Sequence, residues 1–298
     1  MRILLRLAVL SLCLLAPGMA RADKTLALVI GVNNYQHVPT LDGARSDAID
    51  LASSLQRMGA ETVITLIDQE ASKEKVASSW QALLAQAQSG DVIVLSYAGH
   101  GAQAPERTKG EEKDGLDEFW VLPGFDPGNI RATWQETVFD NELFGWFRQA
   151  ADRSVRVVFI SDSCHAGGMN RAATGRLRYV DFGKSRILGE LLSLMLSRKA
   201  NGTPDEADQS LSDNVTMLAA TGEAFPVPEV VIDGQPRGAL SWSVARAFDG
   251  MADANGDGML DRPELEDYVL SNVRARSESL QTPVFAPVVA RLGQQALF

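Results

Sequence analysis

Strand-length apolar runs separated by helix-periodic stretches constrain this chain more than any other feature of it. TLALVIGV (25–32), ETVITLI (61–67), DVIVLSYA (91–98) and SVRVVFIS (154–161) are too apolar, and alternate too little, to have one face in water. Such runs are expected in strands buried on both faces. Between the first two lies a helical segment, Asp42 to Gly59, with Ala44, Ala48, Leu51, Ala52 and Leu55 on one face and Gly59 as terminator. Ser72 is placed to cap a helix reaching about Gln88, another helix is expected near 140–151, and VTMLAAT (215–221) reads as a fifth strand. The pattern predicts an α/β fold with a mostly parallel central sheet flanked by helices on both faces. With 298 residues, 45% of them hydrophobic, the chain can fill such a core in one or two domains.

The first 22 residues read as a secretory signal peptide. Arg2 and Arg6 form its basic start, Leu7 to Ala16 its apolar stretch, and Ala20-Arg21-Ala22 a small-residue cleavage site. The expected mature chain begins at Asp23, outside the cytoplasm, in the periplasm or the extracellular space. Removing Arg2, Arg6 and Arg21 from 28 basic residues leaves 25 against 38 acidic ones, a formal charge of −13. So acidic a surface argues against nucleic acid or an anionic membrane as partner and favours cations and basic peptides. Cleavage also removes Cys13, so Cys164 becomes the single cysteine and no internal disulfide is possible.

In a parallel α/β sheet, ligands gather beyond the carboxyl ends of the strands. Three such ends carry suggestive residues: the loop 33–47, Gly99-His100-Gly101, and Asp162-Ser163-Cys164, which runs on into Gly167-Gly168. A buried, inert cysteine is the plain alternative for Cys164. Its place at the tip of a buried strand, followed by small residues that cannot cover it, fits a nucleophile better. A thiol acting at neutral pH needs a base, usually an imidazole. His37 lies in the first loop and is expected to be exposed or structural, and His165 adjoins the cysteine and so points away from it. His100, between two glycines on a neighbouring strand end, is the candidate base.

SYAGHG and DSCHAGG, whose cysteine lies 64 residues after the histidine of the first, together resemble the His and Cys motifs of the caspase-like cysteine peptidases (peptidase C14 type). They are most like those of metacaspases and their bacterial relatives. The His-before-Cys order is the reverse of that in papain-like enzymes. The resemblance runs from about Lys24 to the C-terminus. It implies a caspase-like sandwich at 23–298, with a large-subunit-like part at 23–168, a linker region at 169–213 and a small-subunit-like part at 214–298. It also implies a cysteine endopeptidase in which Cys164 attacks the scissile carbonyl, His100 moves the proton, and the N–H groups of Gly101 and Cys164 hold the oxyanion. Caspases proper cut after Asp. The metacaspase pattern resembles an acidic first pocket for Arg or Lys, and Asp47 and Asp162 match it; a carboxylate there can pair with a substrate guanidinium. Helix-dipole stabilisation is the simpler reading of Asp47, and strand-end capping of Asp162. Ala98 stands where some metacaspases carry a serine. A same-clan peptidase with another preference, or a catalytically silent calcium-dependent binding protein on this fold, are the rival readings.

DANGDGMLDRPE (253–264) fits the twelve-residue EF-hand calcium loop position by position. Asp253, Asn255 and Asp257 stand at one, three and five, Gly258 at six, Met259 at seven through its carbonyl, Asp261 at nine and Glu264 at twelve. LSWSVARAF before it and ELEDYVLSNVRAR after it look helical. Ca²⁺ is therefore the expected cofactor, structural or regulatory and not chemical; a polar turn between two helices is the alternative. DGLDE, with Asp114, Asp117 and Glu118, is a second candidate, otherwise a solvated acidic loop. The region 169–213 is basic and glycine-punctuated, then polar, with RILGELLSLML (186–196) alone showing helical spacing. Arg171, Arg176, Arg178 and Lys184 would suit self-cleavage by a basic-specific enzyme, although an ordinary surface excursion fits equally. The expected partner is a peptide or protein with basic residues; oligomeric state is not legible.

Overall fold

The computed structural model describes residues 23–105, 116–164, 176–178, 180, 214–221 and 227–286. The leader-like residues 1–22, Asp114, His165, the Gly167-Gly168 pair and the helix-periodic stretch 186–196 all lie outside these residues.

Five of the apolar runs form parallel strands of one six-stranded sheet: β1 (Thr25–Gly31), β2 (Thr62–Ile67), β3 (Val92–Ala98), β7 (Arg156–Asp162) and β8 (Val215–Ala219). The short β11 (Val284–Ala286) closes it, antiparallel to β8, giving the spatial order β11-β8-β7-β3-β1-β2. The expected helices are α1 (Ala44–Arg57), α2 (Lys73–Gln86) and α4 (Asp140–Ala151). Ser72 does cap α2, accepting a hydrogen bond from the Lys75 N–H. The pleat of β1 shows why both sheet faces had to be apolar. Leu26, Leu28 and Ile30 enter one core with Val76, Trp80 and Leu83 of α2 and Leu143 and Phe147 of α4. Ala27 and Val29 enter the other, with Leu51 and Leu55 of α1, Leu240 and Val244 of α5 (Ala239–Arg246), and Val269 and Val273 of α6 (Arg262–Arg276). Among the described residues no helix is long and apolar enough to cross a membrane.

Two additions are not announced by the apolar runs. One is an antiparallel three-stranded sheet of β4 (Gly101–Pro105), β5 (Leu116–Val121) and β6 (Thr137–Phe139), with α3 (Ile130–Gln135) in the connection between β5 and β6. The other is a hairpin of β9 (Val230–Ile232) and β10 (Gln235–Arg237). Its two-residue turn, Asp233-Gly234, has both φ angles positive, as a tight hairpin requires. Close packing then fixes the site. A Cβ on Gly31 would come within 2.5 Å of Ala48 Cβ and 2.6 Å of the Ala44 carbonyl. Glycine at that strand end lets the first turn of α1, and with it Asp47, settle against the end of β1.

Candidate active site

Strand register sets the histidine and cysteine just beyond the ends of adjacent strands. β3 and β7 pair in parallel with Ala98 opposite Asp162, so His100 and Cys164 each lie two residues past matched positions on adjacent strands. Both are buried, and Cys164 is in no disulfide. The His100 N–H donates to the Tyr35 hydroxyl at 2.8 Å, and the Tyr97 hydroxyl donates to the His100 carbonyl at 2.8 Å. His100 Nε2 lies 2.8 Å from the Pro39 carbonyl, which can only accept. Nε2 therefore carries the proton and Nδ1 is the basic nitrogen. Burial lowers the imidazole pKa to about 4, with the Arg178 cation adding to the effect and the Pro39 carbonyl opposing it. His37, by contrast, is exposed and lies 3.9 Å from Asp126.

Asp47 and Asp162 are both fully buried, and they converge on one cation, Arg178. Arg178 Nη2 is 2.5 Å from Asp47 Oδ2, and Nη1 is 3.3 Å from Asp162 Oδ2 and 3.0 Å from the Asp162 carbonyl. A third carboxylate, Glu229 Oε1, stands 3.4 Å from Nη2. Backbone donors hold all three acids in place. Asp47 accepts from the Gly238 N–H at 2.7 Å and Asp162 from the Ser241 N–H at 2.9 Å, both at the start of α5. Glu229 accepts from the N–H groups of Asp42 (2.9 Å) and Gly43 (2.7 Å). Arg237 braces Asp47 from behind at 2.7 Å and passes the charge on to Asp50 at 2.6 Å. Burial still pushes Asp47 up to about 6, while Arg178 and Arg237 pull it down. Gly238 faces this pocket: a Cβ there would collide with the Asp162 carboxylate and lie 2.7 Å from Arg178 Nη1.

The main chain of Arg178 is held as deliberately as its side chain. Its carbonyl oxygen accepts from the Gly101 N–H at 3.0 Å and the Cys164 N–H at 3.2 Å, the two donors expected to form an oxyanion hole. Its own N–H donates to the Val227 carbonyl at 3.0 Å, and the Glu229 N–H donates to the Arg176 carbonyl at 2.8 Å. Leu177 is bridged antiparallel to Pro228, and the Val180 N–H donates to the Gly101 carbonyl at 3.2 Å. The Arg178 carbonyl thus lies between two N–H donors, one of them the N–H of Cys164 itself. That arrangement can polarise an amide for nucleophilic attack. Neither Glu229 nor the placement of Arg178 was legible beforehand. Glu229 follows Val227-Pro228 in an unremarkable stretch, and only its side-chain contacts mark it.

A family model described as the caspase domain, peptidase C14, matches residues 24–282. The chain belongs to the caspase-domain family. Among its relatives, Metacaspase-1A of Aspergillus clavatus is 26% identical over 262 residues, covering 76% of this chain and 59% of that protein. Metacaspase-1 of Pyricularia oryzae is 29% identical over 153 residues, 48% of this chain and 37% of that one. Metacaspase-1B of Aspergillus fumigatus is 24% identical over 257 residues, 74% and 61% respectively. The chain therefore spans less than two thirds of the length of these curated relatives. The crystal structure of protein GSU0716 from Geobacter sulfurreducens has the same fold: TM-score 0.65, 23% identity, 92% of this chain and 98% of that one covered.

Two acidic features of this caspase-domain chain lie outside the cleft. In the 253–264 loop, Asp253 accepts from the N–H groups of Gly256 (2.7 Å), Asp257 (3.2 Å) and Gly258 (2.9 Å), winding the chain around its first carboxylate. Gly256 and Gly258 turn at φ 75° and 79°. Asn255 accepts from Asp257 and Asp257 from Met259, both at 2.8 Å. Asp261 caps α6 through the Glu264 N–H, and Glu264 reaches back to the N–H groups of Asp261, Ala254 and Asn255. The oxygen donors and the glycine turn suit Ca²⁺. The carboxylates themselves are turned to backbone N–H groups, and among the described residues no three His, Cys, Asp or Glu side chains form a metal-binding group. In the second feature, Asp117 is buried on β5, and Asp140 at the start of α4 accepts from the Glu118 N–H at 3.1 Å. Burial beside Asp117 and Glu118 raises Asp140 to about 7.

Proposed function

We propose that this chain is a cysteine endopeptidase that cuts after Arg or Lys. The observation that carries the reading is Arg178, whose guanidinium is bound by Asp47, Asp162 and Glu229 while its carbonyl is held by the N–H groups of Gly101 and Cys164. One residue thus meets an acidic pocket and a pair of oxyanion donors together, as the residue before a scissile bond must. Cys164, its proton taken by His100 Nδ1, attacks the carbonyl carbon. The oxyanion is stabilised by the two N–H groups, and His100 returns the proton to the leaving amine. The Pro39 carbonyl keeps the imidazole in the tautomer this requires. Arginine gains more than lysine here, because a planar guanidinium reaches three carboxylates that a single ammonium cannot reach equally well.

Ca²⁺, held by Asp253, Asn255, Asp257, the Met259 carbonyl, Asp261 and Glu264, would neutralise the loop's acids and brace α5 against α6. It takes no part in the bond chemistry. The leader-like first 22 residues support export, and the acidic mature chain supports protein substrates bearing basic residues over nucleic acid or membrane.

The test is cleavage of matched fluorogenic peptides ending in Arg, Lys or Asp, with Ca²⁺ and with chelator, beside Cys164→Ala. Arg turnover at least tenfold above Asp, abolished in Cys164→Ala, is the expected result. Asp turnover alone would refute the pocket, and turnover surviving in Cys164→Ala would refute the nucleophile.

A further inference from the structure

We propose that Gln281 is a positioning residue: through the Pro228 carbonyl it sets residues 227–229 as the edge on which a substrate's main chain pairs. The inference rests on the peptidase reading above and deepens it by naming what holds the substrate's backbone in register. Arg178, seated as that reading requires, shows which atoms are involved. Its N–H donates to the Val227 carbonyl at 3.0 Å, the Glu229 N–H donates to the Arg176 carbonyl at 2.8 Å, and Leu177 is bridged antiparallel to Pro228. Residues 227–229 thus turn two main-chain groups toward the cleft, as a strand does when it receives another strand.

So short an edge needs support from behind. Main-chain groups alternate in direction along a strand, so the Pro228 carbonyl faces away from residues 176–178. There it accepts from Gln281 Nε2 at 3.2 Å. Proline has no N–H, which leaves this carbonyl as the one main-chain hydrogen-bonding group that Pro228 can offer. A carbonyl only accepts, so the amide must present its nitrogen to it. Gln281 is fully buried, and its Oε1 has no hydrogen-bond partner among the described residues. An amide with one polar atom unmatched is a costly way to fill a core; the bond to Pro228 is what it supplies. The neighbouring Glu229 is tied separately, its carboxylate accepting from the N–H groups of Asp42 and Gly43 ahead of α1.

The mount of Gln281 is fixed from both sides. Just past α6, Glu278 and Ser279 take successive positive φ angles of 51° and 63°, a conformation that residues other than glycine adopt at a cost. The Ser279 N–H donates to the Arg274 carbonyl at 2.8 Å and the Leu280 N–H to the Ser277 carbonyl at 2.9 Å, which hold the turn in that shape. The buried Ser277 hydroxyl donates to the Val273 carbonyl at 2.7 Å and accepts from the Gln281 N–H at 3.1 Å. Beyond Gln281 the chain enters β11 at Val284 and pairs with β8 in the main sheet. The turn thus accepts backbone strain and delivers one buried amide to the back of the cleft edge.

The experiment compares the full chain with Gln281→Met, which keeps the side chain's length and removes its donor. The quantity read is the ratio of kcat/KM for an acetylated tetrapeptide amide ending in Arg to that for benzoyl-arginine amide, which has no carbonyl at the Arg176 position. In Gln281→Met this ratio should fall roughly tenfold, with the loss in KM, because these main-chain bonds are made by bound substrate and transition state alike. Amide exchange at Arg178 and Glu229 should quicken by a similar factor, while Val94 in β3 keeps its wild-type rate. Ser277→Ala leaves the amide in place and loosens its mount, so it serves as the second variant, with a smaller, roughly threefold fall in the ratio. A ratio unchanged in both variants would overturn the proposal and spare the peptidase reading. So would a fall accompanied by equally faster exchange at Val94, since Gln281 would then support the fold as a whole. Wild-type protein that is folded and reduced yet hydrolyses neither substrate would overturn both.

Discussion

Asp162→Asn separates the charge of the proposed pocket from its shape. Asp162 Oδ2 accepts the Ser241 N–H at 2.9 Å and faces Arg178 Nη1 at 3.3 Å, while Oδ1 has no hydrogen-bond partner among the described residues. An amide can keep its oxygen on Ser241 and put its nitrogen at the Oδ1 position, so the fold is preserved and a negative charge is lost. Removing one partner of a buried ion pair typically costs about 3–5 kcal/mol. Here Asp47 and Glu229 still face the guanidinium, so the loss should be smaller, about 2–3 kcal/mol by discounting that range. That is roughly 30- to 150-fold in kcat/KM at about 1.4 kcal/mol per factor of ten. The assay is kcat/KM for matched peptides ending in Arg and in Gln, with iodoacetamide alkylation of Cys164 as a control on the thiol. Arg turnover should fall by the stated factor, Gln turnover by less than threefold, and alkylation should be unchanged. If the Arg and Gln peptides fall together, Asp162 supports the fold and does not read the substrate's charge.

Three further outcomes are expected. Gly238→Ala should reduce turnover of Arg peptides by roughly tenfold or more, because its Cβ meets Asp162 and the guanidinium position, and overpacking costs about 1–3 kcal/mol; an unchanged kcat/KM would refute this placement. His100 is held neutral with a pKa near 4 against 6.5 for an ordinary histidine, so below pH 6.5 the unfolded chain binds a proton that the folded one refuses. Stability should then fall by up to about 3 kcal/mol as pH drops from 6.5 to 4, and His100→Gln should flatten that part of a denaturant-unfolding profile. Saturating Ca²⁺ at about a hundred times its Kd adds about 2.7 kcal/mol to a folded protein. It should raise the melting temperature by roughly 5–10 °C, and Glu264→Gln should erase most of the rise; equal shifts in both proteins would place the ion elsewhere.

The sheet was legible because burial on both faces leaves a plain trace, an unbroken apolar run, and α1, α2 and α4 declared themselves by period and by Ser72. His100 and Cys164 were legible for a related reason: each ends such a run, and parallel pairing brings strand ends together. β4–β6 and the β9–β10 hairpin were not, since strands such as GAQAP and QPR are short and carry no alternation. Asp47 and Asp162 were singled out through their match to a family motif; their convergence needed β1 and α1 to close over Gly31. Glu229 and the seating of Arg178 depend on contacts spanning 51 and 131 residues of sequence, for which local pattern holds no signal.

Electrostatics give the seated arginine a role in folding as well as in chemistry. A pocket built to attract a cation must bury carboxylates, and burying them unpaired is costly. Even with Arg178 and Arg237 beside it, Asp47 is pushed up to about 6 by burial. Arg178 is one of the two cations that oppose this rise. A chain that folds with its own Arg178 between Asp47, Asp162 and Glu229 meets this cost with an internal counter-ion, raised above its ordinary pKa by those acids. The same three carboxylates that hold Arg178 in the fold would thus, in the proposed peptidase, also be the groups that select a basic side chain.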